Sequence, residues 1–140
     1  MLKKTITYTD YNDNQRTEEF YFNLTKAEIA EMELSTVGGL TQLLRGMIAA
    51  QDMPAIVKFV KELILNSYGK KSPDGKRFIK SPELSEEFMQ TEAYSILFME
   101  LSTDADATSD FVNGILPADV RAQAEAEMKK EKEKLLGEAN

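Results

Sequence analysis

Apolar and polar positions alternate at the start of the chain and then change period. Ile6 and Tyr8 alternate with threonines, and Phe20, Tyr21 and Phe22 form an aromatic cluster. Both patterns suit strands, over residues 2–9 and 17–22. Between them lies "DYNDNQ". Its Asp and Asn side chains hydrogen-bond their own backbone and tolerate left-handed conformations, so the pair predicts a β-hairpin. From Thr25 the period becomes helical. Thr25 and Glu28 have capping-box spacing, and Ile29 and Met32, with Ala30, face inward. "STVGG" then breaks the helix at Gly38 and Gly39. Leu40, Leu43, Leu44, Met47 and Ile48 fall at i, i+3, i+4, i+7 and i+8, a full helical stripe. Asp52 caps a third helix with Pro54 in its first turn. Met53, Ile56, Val57, Val60, Leu63 and Ile64 repeat the stripe, and Gly69 is expected as the helix's C-cap.

Residues 70–80 hold a tight turn. Pro73, Asp74 and Gly75 suit a type I turn followed by glycine, with flanks long enough for only a tiny hairpin. Ser81 caps the next helix, with Pro82 at its first position. Leu84 and Phe88 begin its stripe. Tyr94, Leu97, Phe98 and Leu101 continue it, in the same helix or after a break near Thr91. "STDAD" restarts the chain, capped by Asp104 or Thr103, and Phe111, Val112, Ile115 and Leu116 form the last strong apolar cluster. Pro117 opens a tail of helix-forming composition with few large apolar residues before Leu135 and Leu136. It reads as a protruding, frayed or partner-dependent helix. The expected fold is α+β: an N-terminal β-hairpin and five to six helices around one core. Residues 1–117 make a single globular domain, and residues 118–140 a charged C-terminal helical tail.

Composition narrows the chemistry. The 140 residues include no cysteine, no histidine and no tryptophan. Without cysteine there is no disulfide framework, which is compatible with the cytoplasm. No apolar run approaches the ~20 residues of a membrane span. The N-terminus carries two lysines but no apolar core of a secretion signal. Catalysis at neutral pH leans on histidine, cysteine, metals or tuned carboxylates. The first two are missing, and "STVGGLTQ" lacks the lysine and spacing of a phosphate loop. "DADATSD" places carboxylates at positions 1, 3 and 7 of a would-be calcium loop. Ser109 stands at its glycine position, however, and Ile115 at its glutamate position. "DYNDN" fails in the same way at Gln15 and Tyr21. Both runs read better as caps and turns. The expectation is a non-enzyme with no metal and no cofactor.

Charge is distributed unevenly. From Lys58 to Lys80 seven basic residues stand against two acidic ones, a sum of +5. From Ser81 to Val120 there are nine acidic residues and no basic ones, a sum of −9. The two segments either fold side by side and neutralise each other, or serve as contacts. In the second case Lys70, Lys71, Lys76, Arg77 and Lys80 around the turn, and Glu83, Glu86 and Glu87 after it, are the candidate partner-binding residues. A basic turn meeting the acidic helices of another copy would generate a ring or a spiral. Nucleic-acid binding fits less well, because Phe78 is the turn's single aromatic and the acidic neighbour repels phosphate. Met32, Met47, Met53, Met89, Met99 and Met128 make an interior rich in adaptable side chains. They suit either ordinary gap-filling or a surface for varied apolar helices.

The stretches "YFNLTKAEIAEME", "GGLTQLLRGMIAAQD" and "ELILNSYGKKSPDGKRFIKSPELSEEFMQTEAYSILFMELSTDADATSDFVNGILP" resemble the tail assembly chaperones of long-tailed bacteriophages, or prophages, of Gram-positive hosts. The resemblance covers Phe20 to Pro117 and is most specific from "YG" through "LFMEL". It implies a protein made in the cytoplasm of the bacterial host and not retained in the virion. Such a protein coats the apolar, helical tape-measure protein and helps recruit the major tail-tube protein. A frameshift often yields a longer minor product. The family has no catalytic signature. Two rivals are a small structural subunit such as a head–tail connector, and a nucleic-acid-binding regulator using the basic turn. Presence in purified virions would favour the first, and salt-sensitive DNA retention the second.

Overall fold

The computed structural model describes residues 1–31 and 45–118. Strand β1 (Leu2–Thr9) pairs antiparallel with β2 (Gln15–Phe22), Leu2 opposite Phe22 and Thr9 opposite Gln15. Asp10 builds the turn. Its Oδ1 accepts the amides of Asn12 (2.9 Å) and Asn14 (3.0 Å), and Oδ2 takes the Arg16 guanidinium at 2.5 Å. Asp13 adopts φ 63°, a conformation that Asp tolerates. The hairpin expected from "DYNDNQ" is thus made by the side chains that suggested it.

Helix α1 (Lys26–Glu31) opens on the expected capping box. Glu28 N–H donates to Thr25 Oγ1 at 3.1 Å, and Glu28 Oε1 accepts from Thr25 N–H at 3.0 Å. Residues 45–49 are helical. Helix α2 (Met53–Ser67) starts at Asp52, whose carboxylate accepts from Ala55 N–H at 3.2 Å. Helices α3 (Pro82–Met89), α4 (Glu92–Thr103) and α5 (Ala105–Ile115) are capped by Ser81, Thr91 and Asp104. The long stripe after Ser81 is therefore two helices, broken at Thr91. Met32, Leu40, Leu43, Leu44, the "STVGG" break and the charged tail from Asp119 onward lie outside the described residues.

Gly69 is not a helix C-cap. The helix ends at Ser67, Tyr68 is extended, and strand β3 (Tyr68–Lys71) follows directly. It pairs with β2 at Phe22 and Tyr21 and with β4 (Phe78–Ile79) on its other side. The two hairpins are one four-stranded antiparallel sheet in the order β1-β2-β3-β4. Glycine is needed at 69 for close approach, because a Cβ there would sit 2.7 Å from Ile79 O and 2.8 Å from the Phe78 ring.

One face of the sheet meets the helices. Leu2, Lys4, Ile6 and Tyr8 are more covered than the threonines between them. Phe22, Tyr68, Phe88 and Phe111 join sheet to helices, with Tyr68 and Phe88 stacked at 4.3 Å. Around them pack Leu24, Val60, Ile64, Leu97, Ile115 and Leu116, all buried. Ser67 Oγ donates to Leu63 O (2.7 Å), Thr108 Oγ1 ties α5 to Leu101 O (2.6 Å), and the buried Ser72 hydroxyl bonds Asp74, whereas the buried Ser102 Oγ has no partner among the described residues. Among the described residues the methionines do not form the interior, although Met47 packs against it. No methionine among the described residues is in the buried core, and Met53 and Met99 are more than half exposed.

Candidate partner-binding site

The β3–β4 connection is a rigid turn. Gly75 N–H donates to Ser72 O (2.9 Å), and Ser72 N–H to Arg77 O (2.8 Å). Asp74 Oδ1 accepts from Ser72 Oγ (2.6 Å) and from Lys76 N–H (3.0 Å), and Ser72 Oγ accepts from Arg77 N–H (3.0 Å). The Ser72 hydroxyl, with the Lys76 amide, holds the Asp74 carboxyl below its ordinary range. Gly75 has φ 74°, where a Cβ would be strained. With the turn's polar groups satisfied internally, Lys70, Lys71, Lys76 and Arg77 stay exposed. Lys71 Nζ lies 4.3 Å above the Tyr21 ring, a cation–π contact.

Lys80 differs from the other four. Its ammonium donates to Asn23 O (2.6 Å), Glu28 Oε2 (2.5 Å) and Asn66 O (3.0 Å). Those three bonds use all three of its protons. Lys80 staples α1 and the end of α2 to the foot of α3. Burial alone would raise the Glu28 pKa; the Lys80 ion pair and the Thr25 amide outweigh that and lower it.

Glu83, Glu86 and Glu87 are exposed on α3. Among the described residues none of them pairs with the hairpin cations. Ion pairs among the described residues include Lys3–Glu19, Lys4–Glu100, Arg16–Asp10 and Lys80–Glu28. Glu87 instead borders a cleft of about 450 Å³ between β2, β3 and α3, together with Glu18, Glu19, Lys70 and Lys71. In its wall Tyr8 donates to Glu18, which raises the phenol's pKa, and burial raises that of Tyr68.

A second cleft, of about 490 Å³, is apolar. Ile48, Met53 and Ile56 form one wall, and Leu101 and Ala105 the other. Ile48 and Val57 are 40% exposed and Met53 is 53% exposed. These three positions belong to the stripes that the sequence assigns to the core. Sequence periodicity cannot separate the flank of a stripe from its centre; the sign to heed was methionine, a residue suited to adaptable surfaces, at that flank. Among the described residues no three potential metal ligands cluster. No described helix is long and apolar enough to cross a membrane.

Comparison with known proteins extends these observations. No curated protein and no solved structure matches the chain. A family described as phage tail assembly chaperone matches residues 1–139. The match takes in the N-terminal hairpin and the tail as well as the Phe20–Pro117 stretch. With all but its last residue inside that family's pattern, the chain belongs to the phage tail assembly chaperones.

Proposed function

We propose that the chain is a chaperone for the tape-measure protein of a long-tailed phage or prophage of a Gram-positive host. It works in the cytoplasm of the host cell and is released before the virion is complete. Its client is long, helical and apolar, and needs cover until tail-tube subunits enclose it. Recruitment of the major tail-tube protein, which then displaces the chaperone, is the second half of this reading. Lys70, Lys71, Lys76 and Arg77, with Glu83, Glu86 and Glu87, are the proposed polar partner contacts; Lys80 is committed to the fold.

The observation that carries the reading is the apolar cleft beside α2, in a chain of this family. Exposed Met53 and Ile48 in the cleft, and exposed Val57 one turn on from Met53 along α2, offer thioether and branched side chains where a helix's apolar stripe can seat. Co-expression tests it. Wild type should keep the tape-measure protein soluble. The variant Met53→Glu with Val57→Glu should leave the client in the pellet while melting close to wild type, because both positions are exposed. A variant that solubilises the client as well as wild type would remove the cleft from the mechanism.

A further inference from the structure

The basic hairpin has an acidic counterpart at the far edge of the same sheet. Strand β4 is one edge and β1 the other. Against β1 lie the end of α4 and the start of α5. There Glu100, Asp104, Asp106 and Asp110 rim a hollow of about 230 Å³ floored by Leu2 and Phe111. Among the described residues Lys4 is the one cation lining it and pairs with Glu100 at 3.4 Å, so four carboxylates and one ammonium leave a formal −3. The hairpin sets Lys70, Lys71, Lys76 and Arg77 against Asp74, a formal +3; Lys70 and Lys71 share a cleft with Glu18, Glu19 and Glu87, which leaves Lys76 and Arg77 as the hairpin cations outside that cleft. Neither Lys76 nor Arg77, and neither Asp106 nor Asp110, has an ion-pair partner among the described residues.

Within one molecule these charges are too far apart to compensate each other. Three inter-strand steps of ~4.8 Å separate the edges by ~14 Å, against a screening length of ~8 Å at physiological salt. The glutamates of α3 are a poorer counterpart, because Glu87 shares its cleft with Lys70 and Lys71 of the same hairpin. The pocketed acidic ledge lies on the opposite side of the molecule.

We propose that copies of this chain associate head to tail, the β3–β4 hairpin of one docking on the α4–α5 ledge of the next. Lys76 and Arg77 reach Asp106 and Asp110, and the exposed Pro73 turn faces the Leu2–Phe111 hollow. Because the two surfaces differ and lie at opposite edges, each bound copy presents a fresh hairpin and a fresh ledge. Such a contact closes into a ring or continues as a filament. It requires no client and stands apart from the tape-measure reading.

Sedimentation of the full chain over a concentration and salt series tests the proposal. Wild type should associate at low ionic strength and dissociate as salt rises, since exposed charges are screened. Lys76→Glu with Arg77→Glu should associate about tenfold more weakly or less, and so should Asp106→Lys with Asp110→Lys. Mixing the two variants should restore association, because each then meets an opposite charge. Lys76→Gln with Arg77→Gln, which adds no repulsion, should give an intermediate loss, and thermal melts verify that each variant is folded. A wild type that stays monomeric at low salt would overturn the proposal. So would variants that associate like wild type, or weakened variants that fail to recover on mixing.

Discussion

At residue 69 a side chain is excluded by the backbone itself. A Cβ would stand 2.7 Å from Ile79 O, and a carbonyl in a strand pair cannot swing aside as a flexible side chain can. Gly69→Ala should therefore strain the β3–β4 pairing. Overpacking of this kind costs about 1–3 kcal/mol, read as a lower urea midpoint; an unchanged midpoint would show that the hairpin shifts freely. Lys80 is the other residue on which several elements depend. Lys80→Met leaves the Glu28 carboxylate and the Asn23 and Asn66 carbonyls without their cation, a loss of about 1–3 kcal/mol. The pH dependence has a definite sign. Glu28 has a lowered pKa in the folded chain, so its contribution is present above the ordinary carboxylate range and is lost as pH falls through the folded value. The stability gap between wild type and Lys80→Met should narrow on acidification. A gap that is constant with pH would mean that the bonds to the two carbonyls, not the ion pair, matter.

At the scale of elements, helix starts depend on single side chains. Asp104 accepts from Asp106 N–H (3.0 Å) and Ala107 N–H (3.2 Å), and Asp104→Ala should cost about 0.5–2 kcal/mol in a chemical melt. A midpoint unmoved by that change would mean that solvent satisfies the two amides equally well. Those caps were legible in the sequence because they act over two or three residues. Thr25, Asp52, Ser81 and the Asp10 turn all do what their spacing suggests. The tiny hairpin around Pro73–Gly75 was legible, but the start of strand β3 at Tyr68 and its place in the first sheet were not. "YGKK" contains a glycine and two lysines, both depleted in strands, and it follows a helical stripe without a break. What makes it a strand is pairing with Phe22 and Tyr21, more than forty positions earlier. The same limit applies to the charged residues. Lys70, Lys71, Lys76, Arg77 and Lys80 look alike along the chain, and only the approach of Glu28, Asn23 and Asn66 marks the last as structural.

For the whole molecule, the aromatic cluster decides whether sheet and helices unfold as one body. Phe88 comes from α3, and its ring lies 4.3 Å from Tyr68 on β3, 5.0 Å from Phe20 and 5.8 Å from Phe22 on β2, and 5.8 Å from Tyr94 on α4. It is 2% exposed, so truncation opens a cavity that four elements share. Phe88→Ala should cost about 3–5 kcal/mol, a large part of the ~5–15 kcal/mol that holds a domain together. At about 2–8 °C per kcal/mol for domains from 60 to 250 residues, the melting temperature should fall by well over ~5 °C. If the cluster couples the layers, the tyrosine signal, carried by Tyr8, Tyr21 and Tyr68 of the sheet along with Tyr11 and Tyr94, and the far-ultraviolet signal of the helices should fall together in wild type and variant alike. A variant whose helical signal persists after the tyrosine signal is lost would show that the helices hold together without the sheet. The basic hairpin and the acidic ledge would then be carried by separately folding parts. Met53→Glu with Val57→Glu provides the contrast in the same melt: it changes exposed positions beside the apolar cleft and should leave both signals near their wild-type midpoint. Stability would then reside in the aromatic cluster and not in the exposed flank of the cleft, so that the flank can be altered without unfolding the chain.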